Sequence, residues 1–275
     1  MSDPHICFIG GGNMARSLIG GLIGAGYKPR HIIVGEPNSV VRDELTNQFG
    51  VTALADNAAA ATGSDIVILA VKPQVMESAL APISEILSKK NLLIISVAAG
   101  ITIANLESWL SGALAIVRVM PNIPALVSAG ISALFSNSQV TQAQSRKAES
   151  IMRAVGKTVW VEHEALMNTV TSVSGSGPAY FFYLMEALEQ AAIDGGLDPD
   201  SARLLTLETA LGAARLALEA DEPPFELRRQ VTSPGGTTEA AISILDDADT
   251  TAIIKRAVTA ARERSAELAE GLVNN

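Results

Sequence analysis

Cysteine is nearly missing from this 275-residue chain. Cys7 is the only one, so no intrachain disulfide can form, which fits a reducing compartment. Cys7 lies inside the first apolar run and reads as a core position, not a reactive thiol. Aromatic residues are also scarce, at 4% against a hydrophobic share of 48%. Ala, Val, Ile and Leu must therefore build the core, which favours α/β or all-α packing. Positive charge is in the minority: 20 Lys and Arg face 29 Asp and Glu, for a formal net charge of −9. A general nucleic-acid binder would carry a basic stripe, so no nucleic-acid partner is expected. Small anionic ligands stay open, because helix N-termini and single cations act locally.

No apolar run approaches the roughly 18 residues of a membrane span. The opening Met1-Ser2-Asp3-Pro4-His5 carries no basic n-region, and Gly10 to Gly12 interrupt the apolar run too soon for a signal peptide. A soluble, cytoplasmic protein without a membrane partner is expected. His5, His31 and His163 are not spaced as metal ligands, and no CxxC, HExxH or GxSxG occurs. Neither a metal site nor a serine-hydrolase elbow is expected.

What the chain does have is alternation. Residues 6–9, 31–34, 66–71, 92–97 and 115–120 are short apolar runs that read as buried strands, with 131–135 and 158–161 as later candidates. Helical spacing covers 14–22, 40–49, 75–87, 103–110 and 142–155. Near-continuous apolar strands alternating with helices imply a parallel sheet covered on both faces. After His163 no strand is convincing. Residues 166–195, 202–218, 225–231, 239–245 and 250–272 read as helices, punctuated by Gly196, Asp198-Pro199 and Pro223-Pro224. The segment 170–192 is apolar around most of its circumference, which calls for burial on several sides and hence for a subunit interface.

Gly10-x-Gly12-x-x-Ala15 follows the first strand and opens a helix. The first Gly permits the tight turn, the second lets the backbone approach a pyrophosphate, and Ala15 allows close helix–strand packing. Ile9, Gly10, Gly11, Gly12, Asn13 and Met14 are the first cofactor-binding candidates. Glu36 ends the second strand, where an acid usually binds the ribose 2′-OH of NAD. Asn38, Ser39 and Arg42 follow and can equally hold an NADP 2′-phosphate, so the choice of dinucleotide stays open. Asn57 reads either as an adenosine contact or as a helix cap. Ala70, Val71, Lys72 and Pro73 lie at the carboxyl end of one strand, and Ala98 and Ala99 at the end of the next, the edge where open α/β sheets bind ligands. Lys72 reads as a phosphate or ribose contact or as a solvated lysine. Asn122 stands between Pro121 and Pro124 in a rigid loop at the same edge, with an amide that can point at a nicotinamide.

Two later motifs suit a small substrate. Ser174-Gly175-Ser176-Gly177-Pro178 interrupts an apolar helix; its small residues permit a close crossing, and Ser174 or Ser176 can face a substrate. Ser233-Pro234-Gly235-Gly236-Thr237-Thr238 precedes a helix. Its two glycines can expose backbone N–H groups and its threonines fall near capping positions, which makes a ready carboxylate site.

Together these motifs resemble the pyrroline-5-carboxylate reductase family nearly end to end. The resemblance rests on Ile9 to Met14, Ala70 to Pro73, Ser96 to Gly100, Arg118 to Asn122 and, most specifically, Val173 to Tyr180 and Val231 to Thr238. It implies an α/β fold in which a Rossmann-type dinucleotide-binding domain, residues 1–163, precedes an all-α substrate-binding and dimerisation domain, residues 164–275. It also implies reduction of Δ1-pyrroline-5-carboxylate to L-proline by NADPH, with NADH as the alternative donor, in a homodimer or a ring of dimers. By the same resemblance Thr238 serves the substrate nitrogen as the catalytic residue. The N–H groups of Gly235, Gly236 and Thr237 hold the carboxylate, Val231, Ser233 and Ser174 complete the substrate set, and Asp221 orients the nitrogen. Without the resemblance Asp221 reads as a solvated loop carboxylate. The related β-hydroxyacid dehydrogenase plan needs a lysine on the helix that opens the second domain. No lysine lies between Lys157 and Lys255, so that plan is excluded. A non-catalytic dinucleotide sensor would not require the loop at 233–238.

Overall fold

The computed structural model describes residues 3–88, 92–110 and 112–271. Strands β1 (Ile6–Ile9), β2 (Ile32–Gly35), β3 (Thr52–Leu54), β4 (Ile66–Leu69), β5 (Leu93–Ser96), β6 (Ala115–Met120), β7 (Gly130–Ser136) and β8 (Gly156–Trp160) form one sheet. Their spatial order is β3-β2-β1-β4-β5-β6-β7-β8. The chain leaves β1 on one side for β2 and β3, then returns to place β4 on its other side. That reversal opens a crevice at the carboxyl ends of β1 and β4.

All pairings are parallel except β6 with β7, where Val117 stands opposite Ser136 and Met120 opposite Ala133. The expected wholly parallel sheet is thus corrected. An apolar strand looks the same in either direction, and the short connection through Asn122 to Ala129 leaves no room for a crossover helix. The four residues of β1 are completely buried. Ile6 and Phe8 enter one core and Cys7 and Ile9 the other, as period-two alternation requires of a strand covered on both faces.

Between the strands run α1 (Asn13–Gly24), α2 (Ser39–Phe49), α3 (Asn57–Ala61), α4 (Met76–Leu80), α5 (Ser84–Leu87), α6 (Ile103–Trp109) and α7 (Gln142–Arg153). The single helix expected over 75–87 is two short helices with 3₁₀ turns before each, Pro73–Val75 and Ala81–Ile83. Pro82 cannot donate to the preceding turn, so the helix is interrupted there. Strand β3 was not expected; at three residues it offers too few positions for a periodic signal.

The helical part contains α8 (Leu166–Val170), a π-helical turn Thr171–Gly175, α9 (Gly177–Asp194), α10 (Pro199–Glu219), α11 (Pro224–Gln230), α12 (Thr237–Asp247) and α13 (Thr250–Gly271). The last expected helical residue, Leu272, lies outside the described residues. By contacts the chain divides into two compact units. The first runs to Ser176 and resumes at Ala261; the second is Gly177–Ala260. This division differs from the sequence boundary at 163/164 because α8, the π turn and the last part of α13 belong with the first unit. Ser265 Oγ, for instance, donates to Asn168 Oδ1 at 2.9 Å.

Candidate active site

The glycine turn after β1 is fixed from three directions. Gly10 adopts φ +98°, its N–H donates to Gly35 O at 2.8 Å, and a Cβ there would stand 2.9 Å from Ala70 O. An L side chain is excluded both by conformation and by space. Gly12 is different: a Cβ would meet no atom of the described residues within 4 Å, so packing among them leaves room for a ligand there. Gly12 is also the N-cap of α1, with no side-chain cap and no acidic residue in the first turn. The positive end of that helix is left to an external anion.

Glu36 ties this turn to the strand beside it. Its carboxylate accepts from Gly11 N–H and from Asn38 N–H, each at 2.9 Å. Asn38 in turn caps α2 through its Oδ1, which accepts from Val40 and Val41 N–H. Arg42 donates from Nη1 to the carbonyls of Glu36 and Pro37 at 2.8 and 2.7 Å. The acid therefore sits at the carboxyl end of β2, with the Arg42 guanidinium held on the backbone close behind it.

A cavity of about 440 Å³ opens between these elements. It is lined by Gly10, Gly11, Gly12, Glu36, Asn57, Ala70, Val71 and Lys72 from the expected set, with Gly35, Pro37, Val75, Ser78 and Ala79 beside them. Asp56, not Asn57, caps α3. Asn57 Oδ1 is buried without a hydrogen-bond partner, a cost to the folded chain unless a ligand donor meets it. Lys72 is exposed and has no ion pair among the described residues. Ile9 contributes only its backbone here, since its side chain is in the core and its carbonyl accepts from Ala70 N–H. Asn13 is exposed at the start of α1, and Met14 packs against the core.

A second cavity of about 370 Å³ in the same unit is lined by Pro73 and Ala99 with Thr171, Ser176, Arg264 and Leu268 among others. Ala98 is buried at its edge of the sheet. A larger open groove of about 720 Å³ flanks α1 and holds none of the expected site residues. It lies away from the strand carboxyl ends, where ligands of this architecture bind.

The amide of Asn122 has structural partners. Its Nδ2 donates to Ser174 O at 3.2 Å and its Oδ1 accepts from Ile131 N–H at 3.0 Å. Ser174 lies in the π turn, where Ser176 N–H reaches Thr171 O at 2.8 Å. Pro178 has no N–H for the carbonyl four residues earlier, that of Ser174, and Asn122 takes it instead. The π turn was not foreseen, although such turns cluster at functional sites; the Pro178 signal was present.

In the second unit, the loop at 233–238 leads into α12. Gly236 is the N-cap, and Thr237 and Thr238 are the first two helical residues, not caps. Two expected donors are not free: Gly235 N–H donates to Glu239 Oε2 at 2.7 Å and Gly236 N–H to Ser233 O at 3.0 Å. The first bond of the helix runs from Ala240 N–H to Gly236 O, which leaves the N–H groups of Thr237, Thr238 and Glu239 as orphan donors among the described residues. Thr238 is half-buried, while Ser233, Thr237 and Asp221 are exposed, as is Val231 at the end of α11. Glu239 was not among the expected residues: a Glu three residues after the N-cap is a capping signal where the N-cap is Ser or Thr, and here the N-cap is Gly236.

Among the described residues no helix is long and apolar enough to cross a membrane, and no group of three or more His, Cys, Asp or Glu gathers to hold a metal. The sheet order, the glycine turn and the crevice define a dinucleotide-binding oxidoreductase, and residues 5–100 match the family model described as NADP oxidoreductase coenzyme F420-dependent. Residues 164–268 match the model for pyrroline-5-carboxylate reductase dimerisation. A pyrroline-5-carboxylate reductase of Pseudomonas aeruginosa is 47% identical over 272 residues, covering 99% of both chains. That of Escherichia coli is 36% identical over 98% of this chain and 99% of its own. Among solved structures, the Coxiella burnetii reductase superposes with a TM-score of 0.93 at 45% identity, over 97% of this chain and 99% of that one. The Plasmodium falciparum enzyme, solved with NADP bound, gives 0.87 at 29% identity over 98% and 99%. The chain belongs to the pyrroline-5-carboxylate reductase family.

Proposed function

We propose that this chain reduces Δ1-pyrroline-5-carboxylate to L-proline with NADPH, NADH being the alternative donor. The observation that carries the dinucleotide half is Gly12, a helix N-cap with open space where its side chain would be and no acid in the turn behind it. The residues fit that group: the Gly10 turn, the free end of α1, Lys72 and the unpartnered Asn57 Oδ1 would hold its phosphates and sugar. When bound, the reduced nicotinamide supplies a hydride to C5 of the imine. Family membership supports the substrate, since residues 164–268, which contain the loop at 233–238, match the family's dimerisation model.

In this reading the first-turn N–H groups of α12 hold the substrate carboxylate. The Thr238 hydroxyl, which makes no hydrogen bond among the described residues, keeps the ring nitrogen protonated so that C5 is electrophilic. Asp221 orients the ring nitrogen. The assembly is a homodimer, built further into a ring of dimers. Phe181 and Tyr183 on α9 are 65% and 76% exposed within one chain, far more apolar surface than a solitary helix face leaves to water. Residues 1–163 and 164–275 divide these tasks, and the enzyme works in the cytoplasm.

Oxidation of NADPH on adding Δ1-pyrroline-5-carboxylate tests the reading. The wild-type chain turns over, and Thr238→Ala loses about a hundredfold in kcat with dinucleotide affinity intact. No oxidation with either dinucleotide would reject the substrate, and equal kcat in the variant would remove Thr238 from the chemistry.

A further inference from the structure

The carboxylate of Glu239 stands at the loop that the proposed function gives to the substrate, yet nothing in that function uses it. Its Oε2 accepts from Gly235 N–H at 2.7 Å, a charge-assisted bond at the short end of the normal range. Gly235 sits at φ +70°, a conformation that relies on its surroundings to persist, because glycine has many alternatives. The partner residue Gly236 has its own N–H on Ser233 O and no side chain to reciprocate. In an ordinary capping box, the N-cap side chain would cover a first-turn N–H while the glutamate reached back. Here Glu239 reaches one residue further back, past the N-cap Gly236 to the N–H of Gly235. The turn is pinned from one side while the N–H groups of Thr237 and Thr238 stay open.

We propose that Glu239 is a positioning residue for substrate binding. By holding Gly235 in its left-handed turn, it keeps the first turn of α12 presented as an empty carboxylate cradle. It acts as a hydrogen-bond acceptor on the loop, not as a charge on the substrate, and it touches no reacting atom. This inference rests on the reading that the loop at 233–238 binds the substrate carboxylate. Its opposite would be a competing role, in which the Glu239 carboxylate rivals the substrate for the same N–H groups and its removal improves binding.

The test compares Glu239→Ala and Glu239→Gln in the full-length enzyme. Glutamine keeps an acceptor oxygen of the same reach and loses the charge. Loss of one such bond corresponds to roughly three- to tenfold in affinity, so Glu239→Ala is expected to raise KM for Δ1-pyrroline-5-carboxylate by about that factor. kcat, KM for NADPH and the thermal midpoint stay within about twofold or a few degrees of wild type, and Glu239→Gln recovers most of the lost KM. A lowered KM in either variant supports the competing role and overturns the proposal. So does an unchanged KM in Glu239→Ala, or a glutamine variant as impaired as the alanine one. Wild-type turnover is the control on the substrate reading. If it is absent, that reading alone has failed, and the claim is decided by amide hydrogen exchange across residues 233–238. Exchange at Gly235 should be faster in Glu239→Ala and wild-type in Glu239→Gln; equal exchange in all three overturns it.

Discussion

Asn122 Nδ2 donates to the carbonyl of Ser174 at 3.2 Å, and those residues lie 52 positions apart in the chain. With the Ile131 N–H on its Oδ1, one side chain joins the loop after β6, the start of β7 and the π turn. Asn122→Asp keeps the acceptor for Ile131 and loses the donor for Ser174. The expected cost is about 1–2 kcal/mol in denaturant unfolding, with a rise in KM for the substrate as the π turn loosens. An unchanged midpoint would show that the bond is not made in solution.

Gly10 and Gly12 separate stability from binding. Gly10→Ala forces a Cβ against the Ala70 carbonyl in a left-handed backbone and should lower both stability and dinucleotide affinity. Gly12→Ala meets no atom of the described residues within 4 Å, so stability should stay within about 1 kcal/mol, the range of an N-cap change. Dinucleotide affinity should fall tenfold or more, because the methyl enters the space left for phosphate. Calorimetric titration of both variants with NADPH and NADH decides this. Equal losses in stability would mean that the turn, not the ligand, requires both glycines.

If Glu36 faces the ribose of the dinucleotide, as proposed for the acid that ends β2, its carboxylate would repel a 2′-phosphate, while Arg42 is bound to the backbone behind it. Replacing Glu36 by Ser removes that repulsion. The ratio of kcat/KM for NADPH to that for NADH should rise about tenfold, of order one screened charge pair at a few ångströms. A ratio that stays level would place discrimination elsewhere.

Two acids, the buried Cys7 and the half-buried Tyr27, make stability depend on alkaline pH. Burial pushes the Cys7 thiol from 9.0 to about 12, and burial, then Asp3 and Asp65, push Tyr27 from 10.0 to about 12. Both folded values exceed the unfolded ones, so the unfolded chain releases these protons first. Stability is complete below about pH 9 and declines as pH rises towards 12. Urea midpoints across that range should fall, less steeply in Cys7→Ala, and Cys7 should resist thiol reagents until the chain unfolds. A flat profile would contradict the burial of both groups.

Much of this architecture was readable from residue types. The glycine turn was legible because a left-handed residue beside a strand leaves few alternatives, and strands such as Ile6–Ile9 because complete burial demands unbroken apolar character. Strand direction was not, as β7 shows, since hydrophobicity carries no polarity along the chain. In the site, Glu36 could be named from its position at the end of a strand, and Thr238 only from the family resemblance. The capture of Gly235 N–H by Glu239 could not, because which donors remain free depends on where a long side chain folds back. The Asn122–Ser174 bond depends likewise on a pairing across 52 residues that local pattern does not encode.

Hydride delivery to the imine carbon is the centre of the account. Turnover of Δ1-pyrroline-5-carboxylate with NADPH deuterated at the transferable C4 position, followed by NMR of the product, tests it directly. The account predicts L-proline carrying one deuterium at C5 and none elsewhere. Proline without the label, label at another carbon, or no proline at all would contradict it.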